Sequence, residues 1–327
     1  MHLAPLLALL ALFSLAAEAK PLSSTAGNER FPIDELLEGS ESNVAQCATL
    51  PHAVWVTVDG RGDCIRYYAG GLRAGAANPD MLVFFHGDRM VLSRGAQRSA
   101  GGYERQSPAG LERDAALWSA QARGLPFLFV GRPGTHGSSG NHGERRRPRE
   151  VKLMTAALDA IKFRHGVQRF HLSGQSGGGH ITGAMLNMRQ DIECAAIASG
   201  AVAVWRRVEL LGGGRGRDTT GFGDSYDPVS EVARIRRAPP PRIFVLSDPE
   251  DRTVPFGSQE LYVARLVEAR LAPVHVLAIA PDRGRHALAH LSRPAIRWCA
   301  QGVPTEEIRR RLEEQGRKAT TATETAD

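Results

Sequence analysis

The residue types that could do chemistry gather around one serine. Ser176 stands in Gly174-Gln175-Ser176-Gly177-Gly178, a G-x-S-x-G pattern. A run of strand type, Phe170-His171-Leu172-Ser173, leads into it, and a helical pattern from about Gly179 to Gln190 leads away. A serine on so tight a strand-to-helix turn must hold a positive φ, which non-glycine residues rarely take. Gly174 and Gly178, two before and two after, lack the side chains that would block the turn. The Ser176 hydroxyl then stands clear of the strand end. The N–H of Gly177 lies at a helix N-terminus, where negative charge is favoured. A Gly/Ser-rich loop can match the pattern by chance; its position between a strand and a helix gives it weight.

A serine hydroxyl is a weak nucleophile without a base, and the base needs a carboxylate to orient it. Downstream of Ser176, a strand Arg242–Ser247 runs into Asp248-Pro249-Glu250-Asp251. Its three carboxylates compete for the orienting role. Beyond the next strand, Asp282-Arg283-Gly284-Arg285-His286 supplies a base, with His290 a competitor one helical turn later.

The elements that must position these groups alternate. Ala53–Val58 and Cys64–Tyr68 read as a hairpin across Asp59–Asp63. Met81–Phe85 and Pro126–Val130 are continuous apolar runs, as strands buried on both faces should be. Cys194–Ala198, Arg242–Ser247 and Val274–Ile279 continue the set. Pro108–Ala122, Arg149–Arg164, Ser258–Leu271 and a segment after His286, interrupted at Pro294, carry helical periodicity. Strands alternating with helices predict an α/β fold: a mostly parallel twisted sheet with helices on both faces, and function at the carboxyl ends of its strands. Arg207–Pro241 breaks the alternation and reads as a small cap or lid insertion.

These pieces together resemble an α/β-hydrolase of the prolyl-oligopeptidase and dienelactone-hydrolase type. The resemblance rests on Phe85-His86-Gly87, Gly174–Gly178, Asp251-Arg252-Thr253-Val254-Pro255 and Gly284-Arg285-His286, with Tyr226–Ser230 before the acid strand. It covers roughly residues 50 to 300. It implies Ser176 as nucleophile, His286 as general base and acid, and Asp251 as the orienting carboxylate. It also implies an oxyanion hole from the N–H of Gly177 and one from the His86-Gly87-Asp88 turn, that of Asp88. Asp88 departs from the pattern, because a carboxylate beside an oxyanion must point away or be paired. The N-terminal part is too short for a seven-bladed propeller, which favours small esters over peptides.

Residues 1–19 read as a signal peptide: Leu3–Ala17 is apolar and Ala17-Glu18-Ala19 is an A-x-A site. Residues 20–45 read as an irregular segment with a short amphipathic piece at Ile33–Leu37, 46–303 as the hydrolase domain with 207–241 as its insertion, and 304–327 as a charged helix with a disordered tail. In an exported chain, Cys47, Cys64, Cys194 and Cys299 suggest two disulfides. Of three pairings we favour Cys47–Cys64 and Cys194–Cys299. Hydrophobic content of 42% is that of a globular protein, and the net charge of +6 is arginine spread over loops. That balance is read as solubility rather than nucleic-acid binding, and no stretch after the leader could insert stably in a membrane.

Other groups have blander readings. His136, His142 and Glu144 lack metal-ligand spacing, and no metal or cofactor is expected. Arg145–Arg149 reads first as a solvated face and second as a meeting point for an anionic substrate, and Arg132 as a cleft-lining residue at a strand end. His180 is expected to pack on the nucleophile helix, and Ser138 and Ser139 lack the flanking glycines of a nucleophile. The expected activity is that of an exported (secreted or periplasmic) serine hydrolase cleaving a carboxylic ester, and less readily a peptide or amide, through an acyl-enzyme. A peptidase of the prolyl-oligopeptidase type, an acyltransferase and a non-catalytic binding protein on the same fold remain alternatives. The substrate and oligomeric state are not legible at this level.

Overall fold

A computed structural model describes residues 20–93, 96–99, 102–214 and 216–324, with the side chains of 92, 93, 96, 97 and 318–324 left aside. The expected signal segment 1–19 lies outside the described residues. In chain order the strands are β1 (Ala53–Val58), β2 (Arg61–Gly70), β3 (Asp80–Phe85), β4 (Met90–Ser93), β5 (Ala96–Ser99), β6 (Phe127–Val130), β7 (Arg169–Gln175), β8 (Ile192–Ala198), β9 (Arg242–Ser247) and β10 (Val274–Leu277). The helices are α1 (Ile33–Glu38), α2 (Val44–Thr49), α3 (Pro108–Gln121), α4 (Pro148–His165), α5 (Gly177–Met188), α6 (Val204–Leu210), α7 (Phe256–Glu268), α8 (Ala289–Ala300) and α9 (Thr305–Glu324).

Eight strands form one sheet in the order β1-β2-β6-β3-β7-β8-β9-β10. β1, β2 and β6 pair antiparallel, and every pairing from β6 through β3 to β10 is parallel. Alternate residues of one strand face opposite ways, and two cores follow. Met81, Val83, Phe85, Leu172 and Val245 pack with Met154, Leu158 and Ile161 of α4 and Ile181 and Met185 of α5. Leu82, Phe84, Phe127, Ala196 and Leu246 pack on the other face, with Leu111 of α3, Leu291 and Ile296 of α8, and Ile308 of α9. The central strands are buried on both sides, which is why their sequences are unbroken apolar runs.

Disulfides join Cys47 to Cys64 and Cys194 to Cys299. The first ties α2 to β2 and the second ties α8 to β8.

Several elements differ from expectation. The hairpin β4–β5 follows the His86-Gly87-Asp88 turn, where the apolar run of three residues is too short to read as a strand. α8 continues across Pro294, whose side chain is buried, at the loss of one ladder hydrogen bond. α9 spans Thr305–Glu324 of the charged 304–327 segment, its first turns laced by Glu–Arg pairs three and four apart such as Glu307–Arg311 at 2.8 Å. Among the described residues, no helix is long and apolar enough to cross a membrane.

Candidate active site

Ser176 caps α5 with φ 56° and ψ −116°, the strained turn the glycine spacing required. The reason for the two glycines is now visible. A Cβ on Gly174 would lie 2.1 Å from the Gly178 carbonyl oxygen, and one on Gly178 would lie 2.0 Å from the Phe85 carbonyl oxygen. The turn is wedged against the end of β3, so the nucleophile strand and the His86-Gly87-Asp88 turn sit side by side. The N–H of Gly177 opens α5, where first-turn donors have no partner within the helix.

Asp251 is the carboxylate that meets the imidazole. Its Oδ2 lies 2.8 Å from Nδ1 of His286, while Oδ1 accepts from the N–H groups of Thr253 and Val254, both at 2.8 Å. A carboxylate here accepts, so Nδ1 of His286 carries the proton and Nε2 is left as the acceptor. Asp248 is engaged elsewhere: it accepts from Arg285 at 2.6 and 2.9 Å, from the Ala280 N–H at 2.7 Å and from the Glu250 N–H at 2.8 Å. Glu250 is exposed and pairs with Arg285. His290 turns its Nδ1 to the Ala287 carbonyl.

Residues the sequence reading passed over hold His286 in place. Asp282 Oδ1 accepts from the His286 N–H at 2.8 Å and the Ala287 N–H at 2.6 Å, making a side-chain turn. The carboxamide of Gln175 donates to the His286 carbonyl at 2.7 Å and accepts from the Leu288 N–H at 3.0 Å. The residue beside the nucleophile thus clamps the histidine loop. The only signal for either was position: Asp282 lies four before His286, and Gln175 is a variable place in G-x-S-x-G. Ser176 and His286 line one cleft of about 670 Å³, but no hydrogen bond joins Ser176 Oγ to the His286 ring. Such bonds often close only when substrate is bound.

Asp88 is paired. Arg132 donates to its Oδ1 at 2.9 Å, Arg145 to its Oδ2 at 3.0 Å, and Arg146 also donates to Oδ2. Burial would raise the Asp88 carboxyl, but the guanidiniums of Arg146, Arg145 and Arg132 outweigh it and hold it well below the usual carboxylate range. The carboxylate lies against Gly177, where a Cβ would fall 2.0 Å from Oδ1. Only a glycine can follow the serine here.

This corrects the reading of Arg145–Arg149 as a solvated face. Arg145 and Arg146 are buried; Arg146 also pairs with Asp218 at 2.6 Å. Arg132 does not line the cleft: it is fully buried behind Asp88 and pairs with Glu150 at 2.8 Å. His86 is also fully buried. Its Nδ1 faces the Gly87 carbonyl at 2.6 Å and its Nε2 accepts from the Arg132 N–H at 3.3 Å. His180 packs on α5 with Nε2 at 2.8 Å from the Tyr226 carbonyl. His136 and His142 are buried, whereas Glu144 pairs with Arg61 at 3.0 Å, so the three form no metal cluster. The hydroxyls of Ser138 and Ser139 accept from the N–H groups of Arg66 and Cys64.

The cleft has two characters. Phe84, Met90, Leu111, Trp118, Phe127 and Phe129 supply apolar lining, with Arg293 over Phe84 and Trp118 and Asp114 also on the lining; Asp88, Arg145, Arg207 and Thr219 supply the rest of the polar lining. Arg207 and Thr219 come from the expected insertion, which is fastened down by Arg146–Asp218 and by Arg207 Nε donating to the Thr253 carbonyl at 3.1 Å.

No protein-family model matches the chain, and no curated protein matches it in sequence. Solved structures do match. Est1E from Butyrivibrio proteoclasticus, bound to ferulic acid, superposes with TM-score 0.52 and 15% identity over 76% of this chain and 98% of its own. A Pyrococcus furiosus esterase superposes with TM-score 0.50 and 12% identity over 89% of this chain and 96% of its own. Together with the sheet order, this decides the architecture. The chain has the α/β-hydrolase fold. Dipeptidyl peptidase 4 from Porphyromonas gingivalis matches with TM-score 0.50 and 15% identity over 76% of this α/β-hydrolase chain and 35% of its own. The chain spans about a third of the length of such peptidases, 36% for the acylaminoacyl peptidase of Pyrococcus horikoshii.

Proposed function

We propose that this protein is a serine hydrolase that cleaves small carboxylic esters through an acyl-enzyme. The observation that carries the reading is the Asp251–His286 pair at 2.8 Å, opening on the cleft that also holds Ser176 on its strained turn. In the mechanism, Nε2 of His286 takes the Ser176 proton as Oγ attacks the ester carbonyl. Asp251 holds the imidazole in the tautomer that can do this and stabilises the imidazolium that forms. The N–H of Gly177 and that of Asp88 receive the charge that develops on the carbonyl oxygen. The imidazolium then protonates the departing alcohol, and water attacks the acyl-enzyme by the same route in reverse.

The apolar side of the cleft suits an acyl or aromatic group, and the match to a fold neighbour holding ferulic acid, across nearly that whole chain, favours a small ester over a peptide. The two disulfides and the A-x-A leader favour an exported protein.

A fluorophosphonate probe should label Ser176, and Ser176→Ala should lose both labelling and p-nitrophenyl acetate turnover. Labelling that persists in the variant would defeat the assignment. Failure of the disulfide-bonded protein to react with any activated ester or serine probe would favour the non-catalytic binding reading.

A further inference from the structure

The polar side of the cleft is over-supplied with cations. Arg89, Arg145 and Arg207 line it, and Arg132 and Arg146 stand directly behind. The carboxylates among them are Asp88, Glu150 and Asp218. Asp88 is shared by three arginines, Glu150 serves Arg132, and Asp218 is taken by Arg146 at 2.6 Å, leaving Arg207 at 3.8 Å from it. Five guanidiniums therefore face three carboxylates here, and Arg293 and Asp114, which also line the cleft, add one of each.

The shortfall falls on the residues that line the cleft. Arg89 has no carboxylate partner among the described residues, and its Nε is buried without a hydrogen bond. Arg207 spends Nε on the Thr253 carbonyl and Nη1 on the Thr219 hydroxyl, both neutral. Arg145 places Nε on Asp88 and Nη1 on the His142 carbonyl at 3.1 Å, which leaves its Nη2 open. A largely buried guanidinium short of counter-charge is costly, and the compact group that relieves the shortfall is an oxyanion bound through forked donors. Burial indeed lowers Arg89, Arg145 and Arg207 from the ordinary arginine value, Arg207 to about 10. Arg132 and Arg146, behind them, have their carboxylates and are raised instead.

We infer that the cleft takes a substrate bearing a compact oxyanion, a carboxylate or a phosphate group, seated on Arg207, Arg145 and Arg89 while the scissile ester lies at Ser176. Arg207 matters most because it comes from the insertion and lines the cleft beside the Asp251 loop, with Nε on the Thr253 carbonyl. The inference rests on the hydrolase reading for its chemistry, but the anion site can be tested without it.

The test titrates glutarate and inorganic phosphate, each into the full-length Ser176→Ala protein, by calorimetry at low ionic strength. At least one should bind, and adding Arg207→Gln or Arg89→Gln should weaken it roughly tenfold to a hundredfold, the worth of a charge-assisted hydrogen bond. Glutarate binding marks a carboxylate site and phosphate binding a phosphoryl site. No binding of either, or binding that both arginine variants leave unchanged, overturns the inference, whatever the outcome of serine labelling. In the active protein, the ratio of kcat/KM for p-nitrophenyl hemiglutarate to that for p-nitrophenyl valerate, and for 3-carboxyphenyl butyrate to that for phenyl butyrate, then places the anion on the acyl or the alcohol side. In Arg207→Gln the elevated ratio should collapse towards one.

Discussion

At Asp251 the two carboxylate oxygens have separate tasks: Oδ1 is held by two backbone N–H groups, and Oδ2 meets His286. Asp251→Asn can present its amide N–H to the imidazole and so favour the wrong tautomer, and kcat should fall by roughly 10³–10⁴-fold with little loss of stability. Asp248→Asn should behave in the opposite way. It weakens the half-buried pair with Arg285, so denaturation should show a loss of about 1–3 kcal/mol with a smaller effect per folded molecule on turnover. If Asp248→Asn alone abolishes turnover in folded protein, the acid has been misassigned. His286→Ala should lose activity while His290→Ala keeps most of it, since the His290 ring bonds only a backbone carbonyl. At this scale residue types and spacing left three acids and two histidines open, and only the family resemblance pointed to Asp251 and His286. The choice needed contacts between loops 35 residues apart, which spacing along the chain does not supply.

The elements explain why these residues can be placed so closely. β7 runs straight into the Ser176 turn, and the turn survives only because the ends of β3 and α5 meet backbone to backbone at Gly174 and Gly178. Gly178→Ala puts a methyl on the Phe85 carbonyl. It should cost about 1–3 kcal/mol of stability by overpacking and reduce activity further through the displaced serine, read by urea denaturation and ester turnover together. The Cys194–Cys299 link closes a loop of 105 residues between β8 and α8. Replacing both cysteines by alanine should lower stability by about 2–5 kcal/mol, with a matching fall in thermal midpoint. The strands, the principal helices and the G-x-S-x-G turn were legible because burial imposes a period on the sequence. The β4–β5 hairpin and the continuity of α8 through Pro294 were not, because tertiary packing overrode weak local signals there.

Taken whole, the molecule buries several titratable groups whose native titration is displaced from the ordinary range. Burial first, then neighbouring cations, holds His86, His136 and His142 well below the usual imidazole value, and burial lowers His180 to about 4. In the unfolded chain these rings take up protons near the ordinary value of 6.5, while the native protein resists. The unfolded state then binds more protons, so stability falls as pH drops from about 6.5 towards 4. The urea midpoint should decline over that interval, and His180→Gln, which keeps a donor for the Tyr226 carbonyl, should make the decline shallower. Asp88 adds to the acid side alone. Its lowered carboxyl contributes fully above the ordinary value of 3.8 and is lost as pH falls below that towards its native value.

By itself the sequence determined the strand and helix alternation, the turn that carries Ser176, and the chain order of serine, acids and histidines. Each of these is written in neighbouring residues, through side-chain period or backbone freedom. Only the tertiary structure decided that Asp251 rather than Asp248 meets His286, that Gln175 and Asp282 hold that histidine, and that Asp88 is enclosed by Arg132, Arg145 and Arg146. The reason is that charge pairing depends on distance through space. A run of arginines has the same local pattern whether water or a buried carboxylate faces it, and only the packed sheet with its insertion brings the partners within a few ångströms.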